Sequence, residues 1–229
     1  MGKKVVGYTS GMLQPSKVAS EVVDSICARR SIRREFSVQP VPRPVISDIV
    51  RCGLTAPSSK NAQPWRIHVV DDREKLRYLA DEVQNSKDAD TYVPVDPATG
   101  KPHPEWPSTV SESAEVLRQV PLGLFVENRA PFSGGRAVLA ESGRETLAAA
   151  VVGYTFEVIG LGAAIQNMWT AAQVHGVRGV FMGDIVIAEK AITTCLDMVG
   201  DLVGVLALGY SDGAPWRERV YEPDRVVWH

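Results

Sequence analysis

Between Arg144 and His175, apolar residues recur every three or four positions, at Leu147, Val151, Tyr154, Val158, Leu161, Ile165, Met168 and Ala172. That spacing is helical, and Gly176 and Gly179 close it. The most apolar stretch, Leu147 to Ile165, approaches the roughly 20 residues that cross a bilayer. Thr155 and Glu157 interrupt it, no aromatic belt flanks it, and a charge at a bilayer centre is costly. The reading is therefore a helix buried in the core or in a subunit interface, with no membrane as partner.

The rest of the chain supplies shorter elements. Val18, Val22 and Ile26 make one stripe of a first helix that starts near Ser16 and ends at Arg29 and Arg30. FSVQPVPRP is extended, because proline removes donors and restricts its predecessor. Val45, Ile49, Cys52 and Ala56 mark a second helix that stops at Pro57. WRIHVV alternates as a strand does, and DDREKLRYLADEV is a helix with its acidic residues at the favoured end. From Asn85 to Pro107 five prolines exclude regular helix, and an excursion of that length is functional or disordered. A helical turn near Ser111–Arg118 and the apolar strand PLGLFV follow. VFMGD is a short crossing segment, a helix runs from about Ala188 to Val199, and LVGVLALG suits a strand buried on both faces. Helices and strands mix without regular βαβ alternation. The expected class is α+β, with a mixed or antiparallel central sheet flanked by helices. Residues 1–14 read as a flexible arm and 15–229 as a single domain carrying a lid-like excursion at 85–118.

Composition excludes several classes. A net charge of -2 gives no global field for nucleic acid, so anion binding must be local. The three cysteines, Cys27, Cys52 and Cys195, have neither CxxC spacing nor an even count, which argues against a disulfide framework and suits a reducing compartment. Four separated histidines suggest no metal site. The N-terminus lacks a secretory pattern, and a cytoplasmic location is expected.

Three constellations carry chemistry. In ARRSIRREF, Arg29, Arg30, Arg33 and Arg34 fall within six positions beside the Ser31 hydroxyl. Arginine's planar fork matches phosphate, although cations at a helix C-terminus also simply complement its dipole. In APSSKNAQPW, Ser58, Ser59, Asn61 and Gln63 crowd donors and acceptors between the stiffening Pro57 and Pro64. A heterocycle with imide edges would find partners there, and so would the loop's own backbone. In PWRERV, Arg217 and Arg219 point the same way if the tail is extended; singly they read as surface charges. GLGAAI at Gly160 lacks the third glycine of a dinucleotide fingerprint and lies inside a helical pattern, so it is set aside.

RRSIR, then Phe36 and PVP, then APSSKNAQPW, resembles the nitroreductase family of flavoproteins. The resemblance continues through VIGLGAAIQNMWTAAQVHGVRGVFMGD and LVGVLALGYSDGAPWRERV, and so covers most of residues 20–220. It implies an α+β fold forming an intertwined homodimer with FMN at the interface. By position it implies that Arg29, Arg30, Ser31 and Arg33 hold the phosphate and ribityl chain, completed by Arg217 or Arg219. Pro57, Ser58, Ser59, Asn61 and Gln63 would line the flavin from the other subunit, and Phe181, Met182 and Gly183 would lie against the ring. Two departures stand out. One residue more than usual separates Ser31 from Phe36, so Arg33 or Arg34 takes the basic position. The proline-rich excursion replaces the mid-chain Asn–Lys pair of some members.

The activity so implied is hydride transfer from NAD(P)H through bound flavin to an aromatic acceptor such as a nitroaromatic or quinone. This needs no protein acid or base and fits a chain without GxSxG or HExxH. Tyr92 and Trp106, in the lid, are the candidate residues for stacking on the acceptor. The alternatives are a specialised enzyme on the same scaffold (a dehalogenase, an enoyl-type reductase or a flavin-cleaving enzyme) and a non-enzymatic FMN-binding protein.

Overall fold

The computed structural model of the chain describes residues 17–215, 217–218 and 225–228. The arm expected over 1–14 and Arg219 lie outside the described residues.

Among the described residues four strands form one sheet, β1 (Trp65–Val70), β2 (Leu122–Asn128), β3 (Arg178–Met182) and β4 (Asp201–Gly209), in the order β1-β2-β4-β3. All three pairings are antiparallel, which decides between the two sheet types expected. The stretch VFMGD is no mere crossing segment. Its first three residues belong to β3, where Val180 faces Ala207 and Met182 faces Val205. Five residues are too few for alternation to declare a strand, and pairing with β4 supplies what propensity did not.

Seven α-helices among the described residues surround the sheet: α1 (Lys17–Ala28), α2 (Arg43–Leu54), α3 (Arg73–Gln84), α4 (Val110–Gln119), α5 (Arg136–Glu141), α6 (Arg144–Val174) and α7 (Glu189–Leu196). One sheet face packs on α2 and α6 through Leu122, Leu124, Val126, Leu206 and Leu208. The other packs under α3, α4 and α7 through Val70, Phe125, Val180, Val205 and Ala207. Successive strand residues point to opposite faces, so a strand covered on both sides is apolar throughout. This is why LVGVLALG has no polar phase. The phase slips once, where Val126 pairs with Gly204 but Glu127 pairs with Leu202. Gly204 sits there at φ 153°, and a Cβ on it would come 2.6 Å from the Met182 carbonyl oxygen, so this bulge needs glycine.

The helical turn expected near Ser111–Arg118 forms as α4, whose Val110, Ala114 and Leu117 are fully buried. The short helix α5 has no counterpart among the expected elements.

The long helix is as expected, but only half of its stripe is buried in this chain. Leu161, Ile165, Met168 and Ala172 are core, whereas Leu147, Val151 and Val158 are exposed. Val152, Phe156 and Ile159 are exposed as well, and so are Val18, Val22, Val23 and Ile26 of α1. By length and composition α6 is apolar enough to cross a membrane. Its Glu157, however, is fully buried and saturated. Oε2 accepts from Asn128 Nδ2 (3.0 Å) and Ser133 Oγ (2.7 Å), and Oε1 accepts from the amides of Phe132 (2.7 Å) and Ser133 (2.9 Å).

Candidate functional site

The arginine segment is laced onto one end of the sheet. Ser31 forms a parallel bridge with Gly179, and the Ile32 amide donates to the Gly179 carbonyl at 2.9 Å. Further on, the Ser37 amide donates to Tyr210 O (2.8 Å), and Ser211 Oγ donates to Arg34 O (2.8 Å). Ile32 is fully buried. In an extended segment its neighbours must then face the other way, and Ser31 and Arg33 do line a cavity there. That cavity, of about 440 Å³, is walled by Arg29, Arg30, Ser31, Arg33, Thr109, Arg217 and Glu218. Arg30 Nη2 donates to the Arg217 carbonyl, tying the end of α1 to the C-terminal segment.

The structure places Arg33 on the cavity, whereas Arg34 is exposed. Burial pulls the Arg33 guanidinium below its usual pKa, while Glu112 and Asp184 push the other way. Burial raises the Glu112 carboxyl, against the pull of Arg33 and Arg34. Four arginines share this wall with Glu218, a donor set whose chemistry suits a multiply charged anion.

A second cavity, of about 560 Å³, adjoins the first and shares Arg33 and Thr109 with it. Phe181, Met182, Gly183 and Asp184 form one side, and Tyr92, Val93, Pro94, Val95 and Pro107 of the excursion form the other. The two sides are joined at Asp184, whose carboxylate accepts from Thr109 Oγ1 (2.7 Å) and Ser113 Oγ (2.9 Å). Of the two residues expected to stack on an acceptor, Tyr92 lines this cavity. Trp106 does not line this cavity: it is half exposed, with its ring stacked on His103 at 4.5 Å between centroids.

The Pro57–Gln63 loop lies elsewhere. It rests on α6 at Gly160, where a Cβ would meet Ser58 Cβ at 3.3 Å, so the glycine set aside as a nucleotide motif serves close packing. Ser58 Oγ accepts from the Gln63 amide (3.0 Å), and Gln63 Nε2 donates to Asn61 Oδ1 (3.2 Å). Lys60, Asn61 and Gln63 hold left-handed φ of 52°, 53° and 46°. Such conformations cost about 1–3 kcal/mol each in the most strained cases and concentrate at binding sites. The loop enters β1 at Trp65, opposite Asn128, which in turn faces Asp201 at the start of β4. The arginine segment bridges Gly179, opposite Leu208 near the end of β4. Seven residue steps separate Asp201 from Leu208, about 23 Å along the strand. Within one chain the two polar motifs occupy opposite ends of the sheet.

Three residues at the site escaped the sequence reading. Thr109 precedes the helical turn expected near Ser111 and Asp184 ends the segment VFMGD, and only the packing of α4 against the end of β3 unites them. Trp169 belonged to an apolar helical pattern, yet its ring lies 3.9 Å from the guanidinium carbon of Arg29.

A family model described as the nitroreductase family matches residues 26–210. Over 90% of its length the chain is 25% identical to the 5,6-dimethylbenzimidazole synthase of Rhodospirillum rubrum, and it covers 88% of that protein. It is 36% identical to the 4-nitrobenzoate reductase of Pseudomonas putida over 69 residues, 29% of this chain and 30% of the relative. Among solved structures, the NADPH:FMN oxidoreductase from Vibrio harveyi complexed with NAD+ superposes with a TM-score of 0.64 at 19% identity, over 91% of this chain and 76% of that one.

Proposed function

This chain belongs to the nitroreductase family, and on that footing we propose that it is an FMN-dependent oxidoreductase. In this reading it takes hydride from NAD(P)H and delivers it to a small aromatic acceptor, working as a cytoplasmic homodimer. The observation that carries the reading is the pair of adjoining cavities. One is lined by Arg29, Arg30, Ser31, Arg33 and Arg217, and the other is edged by Phe181–Asp184.

The donor set fits FMN. The guanidinium groups of Arg29, Arg30, Arg33 and Arg217 hold the phosphate, with Arg219 as a further candidate, and Ser31 offers its hydroxyl to the ribityl chain. When bound, FMN supplies the two-electron chemistry between nicotinamide and acceptor. Phe181, Met182 and Gly183 wall the space beside it. Tyr92 and the prolines of the excursion narrow that space and exclude water from it. Pro57, Ser58, Ser59, Asn61 and Gln63 lie too far along the sheet to reach the same ligand within one chain, so a second copy supplies them. The exposed apolar residues of α1 and α6 cover one another in that dimer, which gives α6 an apolar partner other than lipid. Residues 15–229 then act as a single FMN-binding domain.

The test is the visible spectrum of the purified protein before and after anaerobic NADPH and NADH. A flavin spectrum that bleaches is expected. A colourless protein that also fails to take up added FMN would sink the proposal. One observation favours a second reading, a specialised flavin-cleaving enzyme on the same scaffold: the synthase relative matches along 90% of the chain, the nitrobenzoate reductase along 29%. Under that reading reduced enzyme in air consumes its FMN and releases 5,6-dimethylbenzimidazole, which chromatography of the spent reaction would detect.

A further inference from the structure

Arg29 enters the arginine cavity from the residue that follows α1, and nothing in the helix repeat fixes the direction of its side chain. A free arginine side chain samples many rotamers, and ordering it opposes binding. Its guanidinium carbon, however, lies 3.9 Å from the centroid of the Trp169 ring. Trp169 is half-buried on α6 and packs against the core cluster that joins α6 to α2. The indole is thus held by the core, and the guanidinium rests on it. A cation over an aromatic face is held by the ring quadrupole. Arg29 lines the cavity wall beside Arg30 and Ser31, so the contact with the ring holds this cation at the wall.

We infer that Trp169 is a positioning residue that pre-orders Arg29 for a ligand phosphate. The inference rests on the FMN reading above. It assigns Trp169 no contact with the flavin ring and no part in hydride transfer. Its effect is confined to the charged end of the ligand.

This confinement makes it testable by binding alone. FMN and riboflavin differ by the phosphate, and each is titrated by flavin fluorescence into wild type, Trp169→Leu and Trp169→Phe. A cation–π contact contributes about 0.5–2 kcal/mol, so Trp169→Leu should weaken FMN binding about 2- to 30-fold and leave riboflavin binding unchanged. Phenylalanine keeps a smaller aromatic face and should recover most of the loss. In an Arg29→Ala background Trp169→Leu should have no further effect. Equal weakening of FMN and riboflavin, or full additivity with Arg29→Ala, overturns the inference and leaves Trp169 a packing residue. Should Trp169→Leu fail to fold, the phenylalanine variant carries the test, with a smaller loss still confined to FMN. A wild-type chain that binds neither flavin overturns this inference together with the FMN reading, whereas the equal-weakening outcome overturns this inference alone.

Discussion

Ser31 is bridged to Gly179 in parallel, so the arginine motif is held by the edge strand β3 rather than by α1. The pairing of β3 with β4 needs glycine at this position, because a Cβ at 179 would lie 1.8 Å from the Ala207 carbonyl oxygen on β4. Gly179→Ala must therefore push β3 away from β4 and carry Ser31 with it. Overpacking of this kind costs about 1–3 kcal/mol, occasionally more. The expected result is a lower urea midpoint together with weaker FMN binding; unchanged stability would contradict the close approach.

Glu157 and Glu127 should set the acid limit of stability. Burial alone would raise the pKa of Glu157, but hydrogen bonds from Asn128, Ser133 and Phe132 hold it below the usual carboxylate value. Glu127 behaves alike: burial is outweighed by His68, the Gly200 amide and Arg66. A carboxylate depressed in the folded state contributes stability above its unfolded pKa, near 4.3 for glutamate. It loses that contribution as pH falls through the folded value. Unfolding free energy should fall steeply below about pH 4, and Glu157→Gln should flatten that limb. Glu157→Ala strands four donors and should cost about 4 kcal/mol or more, at about 1–3 per unsatisfied buried group. Urea titrations at several pH values decide the matter.

Arg33 and Arg34 are adjacent in sequence but not equivalent, since only Arg33 lines the cavities. A hydrogen bond to a charged group contributes about 1.5–3 kcal/mol. Arg33→Ala should weaken FMN binding about 10- to 100-fold, and Arg34→Ala should change it little. Reversal of that order in a fluorescence titration would reassign the phosphate contact.

Ile159, 64% exposed in a single chain, lies on the apolar face of α6 assigned to the dimer. Glutamate there would bury a charge at the interface, a severe penalty. Ile159→Glu should sediment as a monomer and lose FMN, because the Ser58–Gln63 loop of the second copy is no longer supplied. A flavin-loaded monomer would refute the shared site.

Asp184 joins the two walls of the second cavity through Thr109 and Ser113. With Asp184→Ala the fully buried Ser113 hydroxyl loses its acceptor, at a cost of about 1–3 kcal/mol. Hydrogen exchange across residues 92–109 should accelerate while that of β2 stays slow. Identical exchange in both proteins would show that the excursion is held by other contacts.

Much of this was legible in the chain. Helical periodicity marked α2, α3 and α6, because each has a repeating apolar stripe and local signals such as Asp72, whose carboxylate caps α3 by accepting from the Glu74 and Lys75 amides. The unbroken apolar run of β4 announced burial on both faces. The arginines and the Ser58–Gln63 loop stood out because their donor groups are concentrated in short segments. What stayed hidden depends on partners remote in sequence. β3 is a strand because β4 accepts its hydrogen bonds, not because five residues alternate. Arg33 rather than Arg34 faces the cavity because Ile32 must be buried. Thr109 and Asp184 meet because α4 docks under the sheet, 75 positions of chain separating them. Local spacing and side-chain chemistry thus determined which elements form and which residues can bind an anion. Only tertiary packing decided where those residues point, since one buried neighbour or one distant acceptor reverses the orientation of a side chain whose own sequence favours neither.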